Sequence, residues 1–178
     1  IDTDFEDVIL RKGLSHSYEL AMSGGTEDMQ YYVSGNYFSQ EGIVKNSDYT
    51  RGTFKANVGG KLGKFEYDVG ASLGYSISDL PSSFTNADAG DGDIYQNPIS
   101  GIYWGIPYES IYLEDGSFAP LLGAGGDNWV DQFENWEQNE KNLKVVGRAK
   151  LSYEIYNGLK VSTSLGLDYS QLMTHELI

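Results

Sequence analysis

The stretch KFEYDVGASLGYSIS, residues 64–78, carries an apolar or aromatic residue at every odd position from Phe65 to Ile77, and a charged residue, Ser or Gly at every even one. Strict alternation marks a β-strand with two unlike faces. Fifteen residues at about 3.3 Å each outrun the five or six of an ordinary soluble strand. A protein core and a lipid bilayer would both accept the odd face, and its ends separate the two. Phe65 and Tyr67 stand at one end and Tyr75 at the other, with Val69, Ala71 and Leu73 between. Tilted about 40°, the stretch from Phe65 to Tyr75 rises roughly 25 Å, the height of a lipid-facing band between two aromatic girdles. Phe65, Tyr67, Val69, Ala71, Leu73 and Tyr75 are therefore expected to face lipid. Lys64, Glu66, Asp68, Gly70, Ser72, Gly74 and Ser76 are expected to face a wet or plugged lumen.

The same period recurs along the chain: Leu14, Tyr18, Leu20, Met22 (interrupted by His16), then Tyr31, Val33, Gly35, Tyr37, and less cleanly Phe54, Ala56, Val58, Leu62. It returns at Leu143, Val145, Gly147, Ala149, Leu151, Tyr153, Ile155 and at Leu159, Val161, Thr163, Leu165, Leu167, Tyr169. Six strands are predicted, four over 14–79 and two over 141–177. Tight turns at GGTED, GKLGK and YNGL alternate with longer connections at SQEGIVKNSDY and across 80–140. In an antiparallel sheet that alternation puts every tight turn at one end and every long loop at the other, as in outer-membrane barrels. The expected fold is all-β: a segment of an antiparallel transmembrane β-barrel, with 80–140 as one long extracellular loop. The competing architecture is a two-sheet soluble sandwich acting as a carbohydrate-binding module, whose core would take the odd face.

Composition narrows the functional classes. The formal charge of −14 argues against nucleic acid, which demands clustered Lys and Arg. Cysteine is absent, which removes disulfides, thiolate metal sites and cysteine nucleophiles. His16 and His175 lie about 160 residues apart without a nucleophile elbow or metal-ligand spacing, and GAGGD at 123–127 lacks the strand-helix frame and Lys-Ser/Thr of a phosphate loop. No enzyme activity, catalytic residue, metal or cofactor is expected. No apolar run approaches the roughly 20 residues of a spanning helix. The chain opens on IDTDFED, without Met or a targeting pattern, and closes on MTHELI, as an internal piece of a longer protein would.

Binding chemistry is expected in the long loop. Residues 80–140 hold eleven Asp or Glu and no Lys or Arg, together with all three Trp. Trp104, Tyr108, Tyr112, Trp129 and Trp136 are the candidate substrate- or partner-binding residues, since rings stack on apolar faces of sugars or peptides while carboxylates accept their protons. Trp129, Phe133 and Trp136 fall at i, i+4 and i+7, which predicts a short helix with an aromatic stripe used for packing. Asp88, Asp91 and Asp93 in NADAGDGD could collect oxygen ligands for Ca²⁺, but their spacing does not complete an EF-hand and an acidic loop is the expected reading.

Residues 3–58 resemble a segment of the SusC/RagA-like TonB-dependent outer-membrane transporters. The resemblance is carried by Thr3, Asp4, Phe5 and Asp7, by Ser23-Gly24-Gly25, by Tyr31-Tyr32-Val33-Ser34 and Tyr37, and by the loop Gln40-Glu41-Gly42-Ile43-Val44-Lys45-Asn46-Ser47. QNPIS, EDGSF and VVGRAKLSYEIYNGLKVSTSLGLDYS extend it more loosely to the rest of the chain. It implies that residues 1–13 belong to the first external loop, if the family's first strand lies upstream, and that about six consecutive early strands of a 22-stranded barrel follow, in the outer membrane of a Gram-negative, Bacteroidota-type bacterium. It also implies import of glycan- or peptide-derived nutrients with a SusD/RagB-like surface lipoprotein, driven by TonB through a plug region that these residues do not include.

Overall fold

The computed structural model describes residues 2–81, 101–103, 105–122, 128–135 and 137–177. Six strands, β1 (Ser15–Gly25), β2 (Met29–Glu41), β3 (Asp48–Leu62), β4 (Phe65–Pro81), β5 (Glu137–Tyr156) and β6 (Leu159–Leu177), form one sheet in the order β1-β2-β3-β4-β5-β6, every pair antiparallel. Short helices accompany them among the described residues, α1 (Phe5–Ile9) and α2 (Trp129–Asn135), and residues 101–103 are helical as well.

The register makes one face continuous. Leu20, Gly35, Phe54, Leu73, Val145 and Tyr169 stand directly opposite one another in turn across all six strands, and Met22, Val33, Ala56, Ala71, Gly147 and Leu167 form the adjacent row. Among the described residues no second sheet covers this face. Val69 and Leu73 are each 45% exposed and Leu20 is 81% exposed. A soluble sandwich would have buried them, so the sandwich architecture is not the one formed.

Aromatic rows close the apolar band at both ends. Tyr18, Tyr37 and Tyr75 lie in one cross-strand row toward the long loops, with Gly52 between the second and third. Toward the tight turns stand Tyr31, Tyr67 and the paired Phe65 and Tyr153. The aromatic positions at the ends of β4 thus have aromatic counterparts on neighbouring strands.

The three tight turns are set by local chemistry. Leu62 pairs with Phe65 across Gly63–Lys64, and Gly63 has φ +60° while Lys64 does not leave the negative-φ region. That is the type II′ geometry, which only Gly enters without strain at its first central position and which matches strand twist. Between β1 and β2 the Thr26 hydroxyl accepts from the backbone N–H groups of Asp28 and Met29.

At the opposite end the connections build a small core of their own. Phe5, Ile9, Val44, Ile111, Leu121, Trp129, Val130 and Phe133 are buried together, drawn from α1, the β2–β3 connection, the β4–β5 connection and α2. Two differences from the sequence reading follow. Residues 1–13 contain a helix, and β4 and β5 run to Pro81 and from Glu137, so the connection between them begins and ends inside the span 80–140.

Candidate functional site

The long-loop end is assembled from backbone capping outward. Asp4 is the N-cap of α1, its carboxylate accepting from the N–H groups of Glu6 and Asp7. Lys45 Nζ donates to the carbonyls of Asp7 (2.8 Å) and Val8 (2.7 Å), satisfying groups that a five-residue helix leaves open. Around them Lys45 N–H donates to the Ile9 carbonyl and Arg11 N–H to that of Ile43, and Leu10 bridges Val44. Arg11 also pairs with Asp48 at the start of β3. Asn46 holds φ +60°, and its side-chain amide donates to the Phe133 carbonyl at the end of α2. Glu41, Gly42, Lys45, Asn46 and Ser47 therefore all hold this end together, and so do Thr3, Asp4 and Phe5.

The β4–β5 connection adds a hairpin over 111–119, closed by the bridge Tyr112–Phe118 and turned at Gly116, φ +84°. EDGSF is the tip of this hairpin. There the Asp115 carboxylate accepts from both the hydroxyl and the N–H of Ser117, which holds its carboxyl below the usual aspartate range. Asn128 ties the hairpin to α2, donating to the Ile111 (2.9 Å) and Ala119 (2.7 Å) carbonyls while its oxygen accepts from Val130 N–H. Sequence reasoning missed Asn128, although an Asn just before an apolar helical stretch is an N-cap signal that could have found it.

The candidate binding residues divide. Trp129 is 4% exposed, its ring 5.5 Å from that of Phe5, so it packs the core and offers no exposed platform, as the aromatic stripe of α2 implied. Tyr108 is 74% exposed. Tyr112 is half exposed: its ring rests on Phe118 and its hydroxyl donates to the Glu134 carboxylate at 3.1 Å. Desolvation, then that acceptor carboxylate, raises its pKa. Tyr103 is also exposed. Trp104, Trp136 and the acidic run at 88–93 lie outside the described residues.

Below this end, the second face of the sheet is polar. Glu66 lies 2.8 Å from Lys160 and 3.8 Å from Lys61, and Asp68 lies 3.3 Å from Arg148, which links β3, β4, β5 and β6 near the tight turns. Farther along the same face run Gly70, Ser72, Gly74 and Ser76. A sheet apolar on one side between aromatic rows and polar on the other, with its long loops gathered at one end, is a segment of a transmembrane β-barrel.

Relatives agree with that class. No family profile matches the chain. It is 32% identical over 171 residues to TonB-dependent receptor P3 of Formosa agariphila, covering 93% of this chain and 16% of that receptor. It is 31% identical over 119 residues to TonB-dependent receptor SusC of Bacteroides thetaiotaomicron, covering 58% of this chain and 11% of SusC. Among solved structures it superimposes on the RagAB peptide importer in the closed-closed state with a TM-score of 0.69 at 17% identity, over 99% of this chain and 20% of that one. The chain spans under a fifth of the length of the curated relatives it matches. It is a SusC/RagA-like segment of a TonB-dependent receptor.

Proposed function

We propose that this chain supplies six wall strands and part of the outer surface of an outer-membrane transporter that imports glycan- or peptide-derived nutrients in a Bacteroidota-type Gram-negative bacterium. The observation that carries the reading is the apolar face that runs across all six strands, backed by a polar face that suits a water-filled or plugged passage. Resemblance to receptors named for TonB supports an energy supply through TonB, acting on a plug region beyond these residues. No step in this role makes or breaks a covalent bond in the nutrient.

The long-loop end is the outer surface in this reading, where a SusD/RagB-like lipoprotein and the incoming nutrient would meet Tyr108, Tyr112, Trp104 and Trp136. Exposed Tyr rings on a packed loop core support it, because a rigid ring loses little entropy on binding. Tyr108→Ala in the full-length protein removes an exposed ring without touching the core. Uptake of the nutrient and recovery of the lipoprotein on affinity purification are expected to fall together by about tenfold, the scale of one aromatic contact of roughly 1.4 kcal/mol. Unchanged uptake and association in Tyr108→Ala, and in the double variant with Trp104→Ala, would remove these residues from the outer binding surface.

A further inference from the structure

The apolar face is not uniformly filled, and the pattern of filling is specific. Toward the tight turns, Gly24 lies opposite Tyr31 and Gly60 opposite Tyr67, and each ring folds over its glycine. A Cβ at Gly24 would lie 2.6 Å from the Tyr31 hydroxyl, and one at Gly60 would lie 2.7 Å from that of Tyr67. Toward the long loops the same pairing recurs, with Gly35 opposite Phe54 and Gly52 opposite Tyr37. There the rings stand aside. A Cβ at Gly52 would meet nothing within 4 Å, and one at Gly35 only the Thr53 carbonyl at 4.0 Å. The result is an open trough of about 570 Å³ over two diagonal glycines, walled by Tyr18, Leu20, Tyr37, Phe54, Leu73 and Tyr75.

We propose that this trough is a binding site for one acyl chain of a membrane lipid. The inference rests on the barrel reading of the fold. The trough lies on β1 to β4 and needs no strand from the rest of the barrel. It is continuous with the lipid-facing surface and walled mainly by apolar side chains, so water has few partners there, and an empty trough forfeits dispersion contacts along its whole lining. A flexible hydrocarbon chain restores them. The driving term is packing rather than transfer from water, since the surroundings are apolar as well, and discrimination over bulk lipid therefore comes from shape. The ends also match a lipid. Tyr18, Tyr37 and Tyr75 line the trough toward the long loops, and the His16 ring sits 5.6 Å from Tyr18 and 6.3 Å from Tyr37, polar groups at the level where a headgroup begins.

The test uses the full-length protein purified from membranes in detergent, titrated with phosphatidylethanolamine and weighed intact by native mass spectrometry. One lipid is expected to remain bound under detergent washing that strips the others. Filling the trough with Gly35→Leu and Gly52→Val, into space that is open, is expected to weaken retention of that lipid at least tenfold, whereas Gly166→Ser on the polar face leaves it unchanged. Equal retention in the filled variant overturns the site. Should the filled variant not assemble, electron density of the wild type in phosphatidylethanolamine nanodiscs decides instead. A chain lying in the trough supports the proposal, and an empty trough or one occupied by a neighbouring protein overturns it. A protein that does not partition into membranes at all would refute the barrel reading, a different failure from an integrated barrel that holds no lipid.

Discussion

At Asn128 one side chain serves two elements, and its chemistry can be taken apart. The oxygen caps α2 through Val130 N–H, and the amide nitrogen holds the Ile111 and Ala119 carbonyls of the hairpin. Asn128→Ala loses both, at about 2 kcal/mol if a typical N-cap and a comparable hydrogen-bond term add. Asn128→Asp retains the cap and loses only the donors, so hydrogen exchange is expected to quicken over 111–119 and much less over 129–135. Equal quickening in both would deny the division of labour. Asp115 adds a pH dependence to the same hairpin. Its folded-state pKa is depressed, so the stabilisation is present above the ordinary aspartate pKa of 3.8 and is lost as pH falls through the lowered value. A carboxyl NMR titration should place its midpoint below 3.8, and Ser117→Ala should move that midpoint upward. A midpoint insensitive to Ser117 would mean that the hydrogen bonds do not set it.

At the scale of elements, what was legible in the sequence follows from where each element finds its partners. The six strands could be read because two solvents of opposite polarity impose a period of two, residue by residue. The outer ends of β4 and β5 could not, since Glu137-Gln138-Asn139-Glu140 has no apolar face; ladder pairing with Ser78–Pro81 holds it extended instead. Helix α1 was illegible for another reason. Five residues cannot sustain a helix alone, and the Lys45 ammonium that caps its last carbonyls comes from almost forty residues away. The motif Gln40–Ser47 was visible as a resemblance, but its role as the fastening of the outer loops needed the contacts. Of the candidate binding rings, Trp129 was legible only in part: its spacing suggested packing and its aromatic neighbours suggested a platform, and burial against Phe5 decides for packing. That packing is close enough to be brittle. A Cβ at Gly101 would lie 2.7 Å from the Trp129 ring, so Gly101→Ala is expected to loosen the loop core by about 1–3 kcal/mol, the usual range for overpacking. Faster limited proteolysis between residues 101 and 135 with unchanged cleavage in the strands would report it, and an unchanged pattern would show that the ring moves aside freely.

For the molecule as a whole, the decisive property is that its largest apolar surface lies on the outside. A soluble domain of this size hides such a surface, whereas among the described residues the small buried core belongs to the loops and the apolar face of the sheet stays exposed, as the lipid-facing assignment proposed for it requires. The two faces of β4 allow this to be tested with adjacent residues. Ala71 sits midway along the apolar face, in the row Met22, Val33, Ala56, Ala71, Gly147, Leu167; Ser72 points the other way, beside Lys55 and Val146. A lysine on the lipid face near the bilayer midplane costs about 2–4 kcal/mol, while a lumenal substitution mainly alters selectivity. Ala71→Lys in the full-length protein should therefore lower its folding free energy in lipid vesicles by about that amount, read from the urea dependence of heat-modifiable gel mobility. Ser72→Gln, which adds bulk and polarity without charge beside Lys55, should stay within about 1 kcal/mol of the wild type, as a substitution on a water-facing surface does. If the two variants lose the same stability, the apolar face is not the lipid face, and if Ser72→Gln loses more, the assignment of faces is inverted.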